Sequence, residues 1–310
     1  MKLDGTVRRI EELKQKRQAL ILAHVYQRKE VQDVADFTGD SLALSKAAVD
    51  TDAKVIVFCG VRFMAETAAM LNPDKVVLLP RKEAGCPLAD MARVEDVRAK
   101  RKEYPNSVVV SYVNSSASVK AVSDVCCTSS NAVDVVNSLS NRTVLFLPDK
   151  NLGRFVASKV DKRVIFWDGF CYVHHENIRP EDIRRVITEY PQAEVIVHPE
   201  CRPEVIDLAD FVGSTRQMAE YVGRSKSREF IVGTENGILH SLRKENPNKR
   251  FYSLSPLVVC RDMKLTQLKD VASALENMQF QIRVPEKVTV MAEKALTGML
   301  EPRKGHLAIR

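Results

Sequence analysis

The chain has 310 residues, 45% hydrophobic, with 28% charged residues, seven cysteines and a net charge of +7. That is the length of about two domains and the composition of an ordinary packed core. No apolar run approaches the roughly 20 residues of a membrane span, and 6% aromatics without a nucleic-acid motif argue against both membrane and nucleic-acid partners.

Taken in order, the opening MKLDGTVRRIEELKQKR is a charged helix with no apolar h-region, so no secretory signal is expected and the chain is expected to be cytoplasmic. ALILAH (19–24) reads as a strand. VQDVADFTGDSLALSKAA (31–48) reads as helix broken at TGDS, KVIVFCG (54–60) as strand, and FMAETAAML (63–71) as helix stopped by Asn72-Pro73. KVVLLP (75–80) is a strand that leads to AGCPLADM. The basic cluster RAKRK (98–102) reads as a surface helix.

The pattern then recurs. SVVVSY (107–112), TVLFLP (143–148) and RVIFWDGFC (163–171) read as strands, with helical SVKAVSDVCCTSSNAVDVVNSL (118–139) and NLGRFVASKV (151–160) between them. EVIVHP (194–199), EFIVGTENG (229–237) and RFYSLSPLVVC (250–260) follow, separated by EVIDLADFVGSTRQMAEYV (204–222) and ILHSLRKENP (238–247). Short Val/Ile-rich strands alternating with helices predict an α/β fold with parallel sheets covered on both faces.

The spacing shows that one unit is written three times. His24, Tyr112 and His198 each follow an apolar run, with Tyr26, Asn114 and Glu200 two residues on. Asp36, Asp124 and Asp210 come next, and Ser41, Ser129 and Thr215 five residues after them. Cys86, Cys171 and Cys260 end the copies. Tyr-Pro turns at 104–105 and 190–191 mark the joins. We expect three homologous αβα domains with short parallel sheets, around a pseudo-threefold axis, over 1–104, 105–190 and 191–275. The C-terminal helix, within 276–310, is expected on the first unit.

Ligands of open parallel sheets bind beyond the carboxyl ends of the strands, where the repeated polar residues fall. Three copies facing one cavity would set three thiols against His, Tyr, Asn, Glu, Ser and Thr. Thiolates select zinc, copper(I) or iron–sulfur clusters. Structural zinc prefers four ligands, often paired CxxC, which the chain lacks. Three cysteines on a four-iron cluster leave one iron open as a Lewis acid. An odd cysteine count without a secretory signal also argues against a disulfide framework. Cys59, Cys126 and Cys127 read as core cysteines, the last two in a helix-entry segment. Cys201 has no repeat partner. His175 is undecided, and His240 and His306 read as structural or mobile-tail histidines. TGDS, CTSSN and VGST place hydroxyls where helices begin, as caps or as an anion site.

At these residues the chain resembles the quinolinate synthase family of de novo NAD biosynthesis. The likeness spans nearly the whole chain and rests on LAHVYQRKEVQDVADFTGDSL, AGCPLAD, YVNSSASVKAVSD, CTSSNAV, GFCYVHHE, HPECRPEV, ADFVGST and GTENG. It implies a triangular three-domain fold and a central [4Fe–4S] cluster on Cys86, Cys171 and Cys260. It also implies the conversion of iminoaspartate and dihydroxyacetone phosphate to quinolinate, phosphate and two waters. An upstream L-aspartate oxidase or dehydrogenase would make the iminoaspartate. The residues implied in substrate or product binding are His24, Tyr26, Ser41, Tyr112, Val113, Asn114, Ser129, His198, Pro199, Glu200, Ser214 and Thr215. Tyr112, Glu200, His24 and His174 are the expected proton carriers. Val25 stands where the family often has Asn, and Cys260 is the lone cysteine of its segment. A non-catalytic iron–sulfur redox sensor, a structural zinc protein and another iron–sulfur hydro-lyase are the competing readings.

Overall fold

The computed structural model describes residues 2–300; His306 and the end of the expected C-terminal helix lie outside the described residues. Among the described residues twelve strands form three four-stranded sheets. The first holds β1 (Ala19–His24), β2 (Phe37–Gly39), β3 (Val55–Cys59) and β4 (Val76–Leu78) in the order β2-β1-β3-β4. The second holds β5 (Val108–Tyr112), β6 (Val125–Cys127), β7 (Thr143–Leu147) and β8 (Arg163–Phe166) in the order β6-β5-β7-β8. The third holds β9 (Glu194–Val197), β10 (Phe211–Val212), β11 (Glu229–Gly233) and β12 (Arg250–Ser253) in the order β10-β9-β11-β12. Every pairing within the sheets is parallel. This is the expected α/β architecture of three similar units.

The central strands are β-branched runs buried on both faces, β3 and β5 along their whole length. Such runs suit parallel sheets covered by helices on each side. The second strand of each sheet departs from the sequence reading. β2, β6 and β10 lie in stretches read as helix; Cys126 and Cys127 accordingly sit in a strand. These strands are two or three residues long, too short for a periodicity to register.

The repeated aspartates explain why such short strands pair. Asp36, Asp124 and Asp210 precede them directly, and each Oδ2 accepts the N–H of a residue in the neighbouring first strand. The partners are Ile21, Val109 and Val195, each at 2.8 Å. Each aspartate N–H in turn donates to the carbonyl of the same residue. One side chain thereby pins the register of each edge strand.

A helix precedes each first strand and covers its sheet. Ile10 and Leu13 of Lys2–Arg17 pack in a core with Val55, Val57 and Leu78. Val97 of Val94–Glu103 packs in a core with Val109 and Leu145, and Ile183 and Val186 of Pro180–Glu189 pack with Val195 and Ile231. The Tyr-Pro turns therefore lie between a helix and the strand it covers.

Past Cys260 the chain returns to the first sheet. Helix Leu268–Asn277 packs on Lys2–Arg17, and Arg17 donates to the carbonyls of Leu275 and Glu276. Leu78 then bridges antiparallel to Gln281. The last described helix, Glu286–Leu300, lies on β6 and helix Ala117–Lys120 of the second unit and on Arg62–Leu71 of the first. Its Ala292, Ala295, Leu296 and Met299 join a core shared by both units.

Candidate active site

The chain runs outward from the first strand to one neighbour, then crosses it to the other side, so the switch point of each sheet lies between β1 and β3, β5 and β7, or β9 and β11. Open sheets bind ligands beyond the strand ends at such a point. The three switch points face one cavity. Its wall carries His24, Tyr26 and Ser41 from the first unit, Tyr112, Asn114 and Ser129 from the second, and His198, Glu200 and Thr215 from the third. Cys86, Cys171, Cys260 and His174 line it as well. Three predicted residues do not. Val113 and Pro199 are buried away from the wall. Ser214 caps helix Thr215–Arg224 in a capping box with Gln217, and its Oγ also meets Ser130 Oγ at 2.9 Å.

The wall also includes Asp40, Thr128 and Glu235, which sequence reasoning missed. Asp40 and Thr128 are repeat equivalents that directly precede Ser41 and Ser129, so the repeat could have flagged them. Asp40 caps helix Ser41–Asp50 through the Ala43 N–H at 2.8 Å and accepts a bond from Ser130 across the unit boundary.

The histidines have defined roles. Nδ1 of His24 accepts the Tyr26 N–H at 3.1 Å, and Nδ1 of His198 accepts the Glu200 N–H at 3.3 Å. Those bonds favour the neutral tautomer with its proton on Nε2. Burial, with the charge of Lys264 second, lowers the His24 pKa to about 3. Burial likewise lowers that of His198 to about 3, opposed by Glu200 and aided by His174 and His24. Nε2 of His198 meets Ser129 Oγ at 3.3 Å.

Glu200 is buried, which would raise its pKa. His174, then the nearby His198 ring and the Tyr112 hydroxyl, oppose that rise and lower it to about 2. Because His198 is itself held neutral, His174 is the partner that matters, with Nδ1 at 2.7 Å from Glu200 Oε2. From His174 a relay runs through Thr234 (2.8 Å) to the Tyr26 hydroxyl (2.5 Å). Burial keeps Tyr26 and Tyr112 protonated, their pKa values well above the usual tyrosine value. Two buried acceptors on the wall, Glu200 Oε1 and Asn114 Oδ1, have no hydrogen-bond partner. In a cavity wall such atoms await donors on a ligand.

The three cysteines share a local design. Each carbonyl accepts the N–H four residues on, from Asp90 at 3.2 Å, His175 at 2.8 Å and Lys264 at 3.2 Å. Each sulfur therefore stands at the start of one helical turn. Burial raises all three thiol pKa values, that of Cys260 to about 11. The N–H groups three residues on, of Ala89, His174 and Met263, oppose that rise. They do so without a full capping bond at Cys86 or Cys171.

The donor set fits a metal cluster. A single tetrahedral ion holds its sulfurs about 3.8 Å apart, from Zn–S bonds of about 2.3 Å. Cys86, Cys171 and Cys260 do not all lie within 4.8 Å of one another; among the described residues the group that does is Cys171, His174 and Glu200. Three soft donors around a shared space suit a multi-iron unit, with His174 and Glu200 beside Cys171. Of the remaining histidines, His175 meets Asn151 at 2.9 Å and His240 pairs with Asp33 at 2.8 Å, both off the wall. Cys59 and Cys201 are fully buried core residues.

A family model described as Quinolinate synthetase A protein matches residues 8–301. Quinolinate synthase 1 of Methanosarcina acetivorans is 53% identical over 294 residues, covering 95% of this chain and 96% of that protein. The quinolinate synthase of Caldicellulosiruptor bescii is 52% identical over 302 residues, covering 97% and 99%. That of Geobacter metallireducens is 52% identical over 300 residues, covering 97% and 98%.

Proposed function

The chain belongs to the quinolinate synthase family, and from that premise we propose that it condenses iminoaspartate with dihydroxyacetone phosphate, releasing quinolinate, phosphate and two waters. A [4Fe–4S] cluster on Cys86, Cys171 and Cys260 is the proposed cofactor. The observation that carries the reading is the meeting of the repeated thiols with buried, unpartnered acceptors on one cavity wall. A redox sensor would need the thiols but not those acceptors.

When bound, the cluster supplies an open iron, a Lewis acid toward a hydroxyl lost as water. The chain's own residues do the rest. Ser41 and Thr215 open helices whose N-termini favour anions, and Ser129 adds a third hydroxyl. Together with Nε2–H of His24 and His198 they suit two carboxylates and a phosphate. Glu200 Oε1 and Asn114 Oδ1 suit the N–H of the imine or its enamine tautomer and a triose hydroxyl. With Oε2 on His174 and Oε1 unpartnered, Glu200 is placed to hold and orient the nitrogen and to take up or return its proton. The relay Glu200–His174–Thr234–Tyr26 moves protons, and Tyr112 acts as a donor. Iminoaspartate would come from an enzyme that oxidises aspartate at its amino-bearing carbon, such as an L-aspartate oxidase or dehydrogenase.

The test is anaerobic incubation of the iron-loaded protein with both substrates. Quinolinate formation that disappears in Cys171→Ala supports the reading. A cluster-bearing protein that makes no quinolinate would return the sensor reading.

A further inference from the structure

The geometry points to three carboxylates, Asp149, Glu235 and Asp262, as positioning residues that hold the cysteine loops in place for the cluster. The inference rests on the cluster assignment above and concerns how the chain prepares its ligands.

Each carboxylate grips backbone at a cysteine. Asp149 Oδ2 accepts the Cys171 N–H at 3.0 Å, while its Oδ1 takes the Leu152 N–H at 2.8 Å. Glu235 Oε1 accepts the Cys260 N–H at 3.1 Å, while Oε2 takes the Gly237 N–H at 2.6 Å and Lys264 Nζ pairs with the group at 2.9 Å. Asp262 Oδ1 accepts the N–H of Gly85, the residue before Cys86, at 3.1 Å.

The strand registers relate the first two. Ser111 pairs with Leu147 and Val197 with Gly233, just as Ala23 pairs with Cys59. Two residues beyond Leu147, Gly233 and Cys59 stand Asp149, Glu235 and, in the first unit, Val61. Valine cannot accept a hydrogen bond, so the first unit lacks its own clamp. The third unit supplies it through Asp262, two residues past Cys260. One loop thus carries a cysteine of its own and fixes the loop of another. The Cys86 loop is complete only when the third unit is docked against the first.

Partners beyond the ligands fix ligand orientation, and their loss typically weakens metal binding about 10- to 100-fold. The test is iron release from anaerobically reconstituted protein to a ferrous chelator, with iron and sulfide counted beforehand. Asparagine keeps an acceptor oxygen at position 262; alanine does not. We expect Asp262→Ala to lose iron about tenfold faster than the parent, and Asp262→Asn to stay within about twofold of it. Asp149→Ala and Asp149→Asn should divide the same way. Parent-like retention in both alanine variants would overturn the inference. Equal acceleration by Asn and Ala would assign the effect to charge, and would overturn it too. A parent protein that binds no iron and sulfide would overturn the cluster assignment itself and take this inference with it, an outcome visible before any variant is compared.

Discussion

Glu200 combines two opposed demands. Its burial penalises charge, yet His174 at 2.7 Å keeps it anionic, and one oxygen is left unpartnered toward the cavity. Glu200→Gln preserves the shape, exchanges the anion for a neutral amide and leaves the thiols alone. We expect full iron content with turnover lowered at least about 100-fold, the lower range for loss of a proton-handling group; undiminished turnover would remove Glu200 from the mechanism. His24 and His198 make a stability prediction. Both fold as neutral rings with pKa values lowered to about 3, whereas unfolded histidine titrates near 6.5. The unfolded chain therefore binds more protons between these values. The stabilising contribution is complete above about pH 6.5 and is lost as pH falls toward 3, at about 1.4 kcal/mol per pH unit for each ring. Urea unfolding of the chelator-treated protein from pH 7.5 to 5 should show that decline, and His24→Gln should make it shallower. Identical slopes would contradict the buried neutral assignment.

At the scale of elements, the cavity depends on loops that meet closely at the strand ends. Gly237 follows β11, and a Cβ there would stand 2.7 Å from Glu235 Oε2, 2.7 Å from Lys264 Nζ and 2.8 Å from the Tyr26 carbonyl carbon. Backbone of the first unit cannot retreat without moving β1. Gly237→Ala should destabilise the protein by about 1–3 kcal/mol, as overpacking does, while Gly223→Ala, with nothing within 4 Å in its helix, should stabilise it by about 0.5–1 kcal/mol. Denaturant midpoints measure both, and equal effects would refute the close-approach account. Much of this level was legible in the chain: the main strands as β-branched runs, and the strand-end His, Tyr, Asn and Glu through their recurrence. The short strands β2, β6 and β10 were hidden because two or three residues carry no period, and because Asp36, Asp124 and Asp210 form them through a side chain. Glu235 was hidden because its equivalents are Val61 and Asp149. Residues of different chemistry show no recurrence until strand register aligns them.

At the scale of the whole molecule, the chain closes on itself. The stretch after Cys260 returns to the first sheet, and the last described helix seals the first two units through Leu296, fully buried in their shared core. Leu296→Ala should lower stability by about 2–5 kcal/mol although Leu296 does not line the cavity, and a loss under about 1 kcal/mol in urea unfolding would show that this helix is not part of that core. That closure lets three strand-end surfaces meet, so that one thiol from each unit lines the shared cavity and can serve the proposed centre. The most direct measurement of this claim is the iron and acid-labile sulfide content of the anaerobically reconstituted protein beside Cys86→Ala, Cys171→Ala and Cys260→Ala. The account predicts about four irons and four sulfides per chain, with the cluster lost in every one of the three variants. One zinc per chain, or a cluster that survives removal of any of these cysteines, would contradict it.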